Sequence, residues 1–217
     1  AGTIEMKYMT AKEEDILTNT NYIQNGTVID KLLKALIVTE NVDYSTLLTG
    51  DKNAIMIAAR ILAYGKNYEV EYRGETHTVD LTQLKEKEVD YSLFQNRTNS
   101  FEFKLPHSDN KITFKLLSHE DERKIEEEQK GLKKINKDSS TEVTTRLKHM
   151  ITGINGVTEK KDIRNFVDNY LLSKDARELR KFYTSISPDI ELKFSTTDGE
   201  EDVDLPIGLT FFWPDSN

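Results

Sequence analysis

The chain has 217 residues, no cysteine and a formal net charge of −8 at pH 7. Disulfides and thiolate metal sites are therefore excluded, and the negative charge disfavours binding to nucleic acid. No apolar run reaches the roughly 20 residues that span a bilayer, and the first residues lack a signal-peptide pattern, so we expect neither a membrane span nor export by the Sec route.

The first predicted elements are a strand and two helices. Apolar and polar residues alternate over 4–8, as in a strand. Thr10 and Glu13 have the spacing of a capping box, which predicts that a short helix begins there. Apolar residues recur at helical spacing over 28–37, which predicts an amphipathic helix with one buried face.

The next predicted helix, 51–64, is unusual because it is apolar on every face. Between Ala54 and Tyr64 its only charged residue is Arg60, so the helix is expected to be central or to lie in an interface. A buried guanidinium requires a carboxylate or several carbonyl groups. We expect a structural ion pair of Arg60 with an acidic residue such as Asp51 or Asp43, and ligand binding by Arg60 is the alternative.

Three pairs of alternating segments flank short turns and predict β-hairpins. The pairs are 68–72 with 76–81, 101–105 with 112–116, and 190–194 with 203–207. We expect these strands to combine in one antiparallel sheet of at least four strands.

The sequence contains no catalytic or metal-binding motif. The acidic residues between Asp198 and Asp204 lack the spacing of a calcium loop, and the four histidines are scattered along the chain. Neither a G-x-S-x-G motif nor a P-loop occurs. We therefore expect no catalytic residue, no metal ligand and no cofactor.

A helical segment is predicted between the second and third hairpins. Ser118 caps a highly charged helix to Lys137, whose only apolar seam is formed by Ile125, Leu132 and Ile135. This seam is too narrow to hold the helix firmly in a monomer, so we expect its residues to contact a partner protein. A second capping box at 139–142 predicts an antiparallel helical hairpin, and two further apolar stripes before Pro188 predict two more helices.

The C-terminal residues Phe211, Phe212 and Trp213 form an aromatic cluster where chains are normally polar. Such a cluster either fills the core of its own domain or anchors the chain on another subunit. The alternation over 205–209 predicts a strand that carries the cluster along the core. Contact with a partner is the second interpretation.

These elements predict an α+β fold, in which an antiparallel sheet of hairpins packs with several helices. We expect an N-terminal lobe at 1–117, a helical segment at 118–187, and a C-terminal hairpin with the aromatic tail at 188–217 that packs back on the first lobe.

Five segments together resemble a known family. They read MTAKEEDILTN at 9–19, GDKNA at 50–54, ARILAYG at 59–65, FKLP at 103–106 and LPIGLTFFWP at 205–214. In this order they are similar to the baseplate hub proteins of T-even-like contractile-tailed bacteriophages. The resemblance covers residues 6 to 214.

The resemblance implies a non-enzymatic hub component or hub assembly factor that binds other hub and tail proteins. Its implied location is the tail baseplate of the virion, and the host cytoplasm during assembly. Many members of the family carry cysteine pairs at two hairpin turns, which form a zinc ribbon. Here the matching turns, 72–75 and 195–198, contain no cysteine, so zinc is not expected there.

Two other functions are compatible with the sequence. One is a small ligand-binding or enzymatic α+β domain, for which Arg60, Asp51 and His77 are the only polar candidates. The other is an acidic phage protein that mimics nucleic acid to bind a host enzyme, which the charge of −8 permits.

Overall fold

The computed structural model describes residues 3–94, 98–135, 141–196 and 201–213. The α-helices are α1 (Ala11–Leu17), α2 (Thr20–Gln24), α3 (Val28–Leu36), α4 (Thr49–Tyr64), α5 (His119–Ile135), α6 (Glu142–Met150), α7 (Lys160–Asn169) and α8 (Ser173–Ile186). The strands are β1 (Asn67–Tyr72), β2 (Glu75–Asp80), β3 (Phe101–Lys104), β4 (Lys111–Phe114), β5 (Ile151–Ile154), β6 (Lys193–Ser195) and β7 (Asp202–Asp204). The prediction of an α+β fold is confirmed.

Some sequence predictions fall outside the described residues. These are the helix end at Lys137, the capping residue Ser139, and the part of the acidic turn at 197–200.

The chain divides into two compact units. The first contains residues 1–44, 50–87 and 189–217, and the second contains residues 45–49 and 88–188. This division differs from the three predicted segments, because the strands β3 and β4 belong with the helices that follow them. The C-terminal residues belong to the same unit as the N-terminal ones.

A charged residue buried at the start of α1 organises the beginning of the first unit. The Glu13 carboxylate accepts hydrogen bonds from the backbone N–H of Thr10 at 3.0 Å and from Lys7 Nζ at 2.7 Å. These hydrogen bonds, led by the one from Lys7, lower the pKa of Glu13 to about 2. The strand predicted before this helix is reduced to a single bridge between Met6 and Ile37.

The expectation of one continuous sheet is wrong, because the strands of the described residues form three separate sheets. The first unit contains two antiparallel hairpins, β1–β2 and β6–β7. The turn between β1 and β2 consists of Arg73 and Gly74, both with positive φ, which is the conformation of the tight turns that suit hairpin twist. In the second unit, β4 pairs on one side with β3 and on the other with β5.

Strand β5, Ile151–Ile154, is an element that the sequence patterns did not predict. It follows α6 directly and pairs with β4. The chain then turns at Asn155 and Gly156, both with positive φ. The three strands pack against α5 to α8 around a core that includes Phe101, Phe114 and Leu179.

Candidate protein-binding site

Helix α5 is anchored at its beginning and exposed at its end. Ile125 is buried in the core of the second unit, Leu132 is half-buried, and Ile135 is 85% exposed. Ile135 lies ten residues and about 15 Å beyond Ile125 along the helix axis. We call the last six residues of this helix, 130–135, the α5 arm. The narrow seam predicted from the sequence is therefore divided between a core residue and two residues available to a partner.

Ion pairs hold the base of the arm in place. The two carboxylate oxygens of Glu128 accept hydrogen bonds from the Arg164 guanidinium of α7, both at 2.8 Å, and His149 of α6 lies 2.9 Å away. The hydrogen bond with Arg164 is the largest cause that lowers the pKa of Glu128 to about 2. Nearer the start of the helix, Glu122 pairs with Arg146 of α6. Because the arm begins beyond these ion pairs, its exposed residues can change without loss of the anchor.

A groove of about 390 Å³ lies in the second unit beside α6 and α8. Its apolar lining includes Leu147, Tyr183 and Val143, of which Val143 is 45% exposed. The Tyr183 hydroxyl oxygen accepts a hydrogen bond from the backbone N–H of Leu117 at 3.1 Å, and burial raises the pKa of this hydroxyl. Arg180 also lines the groove, and its Nε donates to the carbonyl oxygen of Ala176 at 3.3 Å.

Sequence reasoning did not identify this groove. Val143 and Tyr183 both fit the apolar faces of their helices, which predict core positions. The groove forms because the two helices are not in contact over their full lengths, and helical periodicity carries no information on that.

The aromatic cluster at the C-terminus is mostly buried in its own unit. Phe211 and Phe212 are both 0% exposed, whereas Trp213 is half-buried. The Phe211 ring packs edge-on against Tyr68 of β1, with 4.7 Å between the ring centroids, and against Phe212 at 5.6 Å. Phe211 and Phe212 are therefore core residues and are not available to a partner. The cluster lies on a 3₁₀ turn, Leu209–Phe212, and not on the predicted strand.

Arg60 is buried in α4, but not as the predicted ion pair with Asp51. The two residues are nine positions apart on the same helix, on opposite faces and about 13.5 Å apart along its axis. The guanidinium lies over the rings of Tyr64, at 4.9 Å, and Tyr68, at 5.7 Å. Its Nη1 donates to the carbonyl oxygen of Gly65 at 3.4 Å, and Nε is buried without a hydrogen-bond partner among the described residues. Burial lowers the pKa of this group, and the aromatic rings compensate part of its desolvation.

The residues considered for an enzymatic site contact different neighbours. His77 of β2 is buried between Tyr72 and Phe194, with ring centroids at 6.4 and 5.5 Å. Arg60 instead contacts Tyr64, Tyr68 and Phe211. In the described ranges, no three potential metal ligands of the His, Asp or Glu type are grouped together. None of the helices in those ranges combines the length and the apolar composition that a bilayer span requires.

Comparison with known proteins identifies one family. The family model described as T4 bacteriophage base plate protein matches residues 1–213, which is nearly the whole chain. The chain therefore belongs to this family. No curated protein and no solved structure matches the chain.

Proposed function

We propose that this chain, as a member of the T4 bacteriophage base plate protein family, is a non-enzymatic subunit or assembly factor of the baseplate hub that acts by binding other tail proteins. Membership of this family makes the chain a phage baseplate protein that is located in the tail. The five segments that resemble hub proteins support the finer assignment to the hub. Assembly then takes place in the host cytoplasm.

The α5 arm is the observation that carries a role in protein binding. Ile135 is exposed at the end of a helix whose base is fixed by buried contacts and ion pairs. The apolar surface of an exposed isoleucine on a rigid element is removed from water only when another protein covers it. A charged helix with one short apolar stripe also suits binding along a partner helix or groove.

The experiment compares two exposed apolar residues in phage that carry variants of this chain. Ile135→Asp places a charge in the α5 arm, and Val38→Asp makes the same change at a residue of the first unit that is 53% exposed. Both variants are expected to fold, because surface substitutions usually change stability by about 0.5 kcal/mol or less. We expect Ile135→Asp to reduce the amount of chain in baseplate intermediates and Val38→Asp to leave it unchanged.

Normal incorporation of the Ile135→Asp chain would show that the α5 arm is ordinary solvated surface. A wild-type chain that never enters a baseplate intermediate would contradict the proposed function itself. Mass spectrometry of purified particles then distinguishes a retained subunit from an assembly factor that leaves before maturation.

A further inference from the structure

Hydrogen bonds join the two hairpins of the first unit at both ends, and the rings of His77 and Phe194 are in contact between those ends. At the turn end, Tyr72 Oη and Arg73 Nη1 donate to the Glu201 carboxylate at 3.2 and 3.3 Å. At the other end, the backbone N–H of Glu191 donates to the carbonyl oxygen of Lys85, and that of Lys87 donates to Asp189. Between these ends β2 and β6 belong to different sheets. They line a groove of about 870 Å³, which we call the slot.

The register of the first hairpin shows which backbone groups of β2 face the slot. The two-residue turn makes Tyr72 and Glu75 a hydrogen-bonded pair. Along the hairpin, hydrogen-bonded pairs then alternate with pairs whose backbone groups point away from the partner strand. The hydrogen bond from Leu81 N–H to the carbonyl oxygen of Lys66 fits this alternation. The backbone N–H and C=O groups of Thr76 and Thr78 therefore point away from β1, and both residues line the slot.

The opposite wall offers one such residue, Ser195, because the N–H of Lys193 already donates to the carbonyl oxygen of Glu191. The hydrogen bonds from Leu205 N–H to Leu192 O and from Thr196 N–H to Glu201 O fix the register of β6 with β7. By the same alternation, the backbone groups of Ser195 point away from β7 and into the slot. The rings of His77 and Phe194, 5.5 Å apart, lie on the buried side of the two strands and form an apolar floor.

We propose that the slot receives an extended segment of another baseplate protein, which adds a strand between β2 and β6. This inference rests on the proposed function. Unpaired backbone groups spaced every second residue are complementary to an extended backbone, and not to a helix or a small molecule. The edge of β2 from Thr76 to Asp80 is about 13 Å long, which is sufficient for a strand of about five residues.

The slot also indicates the side chains of the segment. Every second residue of an inserted strand faces the floor, so an apolar side chain there contacts His77 and Phe194. Among the described residues that line the slot, the charged side chains without an ion-pair partner are Lys85, Lys193, Glu191 and Asp202, while Asp80 is paired with Lys66. These two lysines and two carboxylates balance, which favours a segment without excess charge of either sign.

Hydrogen exchange measured by mass spectrometry tests the proposal on the full-length chain. The chain is compared as a purified protein and in isolated baseplate intermediates. The proposal predicts slower exchange on assembly in peptides that cover β2 and β6, and unchanged exchange in β1, whose outer edge faces away from the slot. Unchanged exchange of β2 and β6 in baseplates that contain the chain would overturn the proposal and leave the proposed function intact.

A pair of proline variants tests the same edge genetically. Thr78→Pro removes an N–H group that faces the slot and is not needed for the ladder with β1. Glu69 is the residue opposite Thr78 in the register, so Glu69→Pro makes the matched change on the outer edge of the same hairpin. We expect about tenfold less Thr78→Pro chain in baseplates, with wild-type amounts of Glu69→Pro chain. Equal incorporation of the two folded variants would overturn the proposal.

Two further results would identify a different occupant and also overturn it. The first is protection of β2 in the purified chain that increases with protein concentration, together with dimer formation in light scattering, because a second copy would then fill the slot. The second is protection in the purified monomer that is lost when residues 214–217 are removed, because the slot would then hold the chain's own terminus.

Discussion

Replacement of Phe211 by alanine is expected to lower the free energy of unfolding of the first unit substantially. The ring is fully buried and packs edge-on against Tyr68 at 4.7 Å and against Phe212 at 5.6 Å. Removal of a buried phenylalanine side chain typically costs about 3 to 5 kcal/mol, through lost burial and the cavity left behind. Domains are stabilised by about 5 to 15 kcal/mol in total, so this loss is a large share of the free energy of unfolding.

Urea unfolding followed by Trp213 fluorescence measures this loss, because Trp213 lies in the same unit as Phe211. With a dependence of about 1 to 3 kcal/mol per molar urea, the midpoint is expected to fall by at least about 1 M. Tyr68→Phe is the control, since it keeps the ring contact and loses only the 3.4 Å hydrogen bond to the carbonyl oxygen of Pro206. A cost below about 1 kcal/mol for Phe211→Ala would refute the assignment of this ring to the core.

Three other predictions concern buried and paired charges. Arg60→Met is expected to cost less free energy of unfolding than Phe211→Ala, because Arg60 pairs with no carboxylate in the part of the chain that the structure describes. A larger cost in the same urea assay would contradict this. Since Glu13 has a pKa of about 2 in the folded chain and an ordinary value of 4.5, its stabilisation is present above pH 4.5 and is lost as pH falls towards 2. Thermal melts of Glu13→Gln are therefore expected to depend less on pH in this range, and a slope equal to that of the wild type would contradict it. Glu128→Lys is expected to lower the melting temperature because it breaks the ion pair with Arg164. The control Glu126→Lys breaks only an exposed ion pair, which contributes little stability. Equal melting temperatures of the two variants would contradict the role of Glu128 in anchoring α5.

Local elements were predictable from the sequence because their signals are local. The capping box of Thr10 and Glu13 marks the start of α1, and the turn at Arg73 and Gly74 joins β1 to β2. Phe211 and Phe212 are buried in their own unit, which is the first of the two interpretations of the aromatic cluster.

Long-range pairing was not predictable in the same way. Alternation along β2 and β6 identifies two strands but does not state whether they pair, and the structure leaves them in different sheets. Strand β5 was missed because its four residues continue the apolar pattern of α6, and period-two alternation over so short a stretch is ambiguous.

The predicted ion pair of Arg60 with Asp51 was wrong for a different reason. A carboxylate or several carbonyl groups were expected around the buried guanidinium, but it has one carbonyl partner among the described residues, Gly65 O, and lies over aromatic rings. Tyr64 lies one turn after Arg60 on α4, whereas Tyr68 of β1 and Phe211 of the 3₁₀ turn reach the guanidinium only through the fold.

The most direct test of the proposed function is to separate the baseplate intermediates of infected cells by sedimentation and to quantify this chain in them by cross-linking mass spectrometry. The account predicts that the chain sediments with hub intermediates and that Lys133 and Lys134 of the α5 arm cross-link to another hub or tail protein. A chain found only as a free monomer, with no such cross-link in any intermediate, would contradict it.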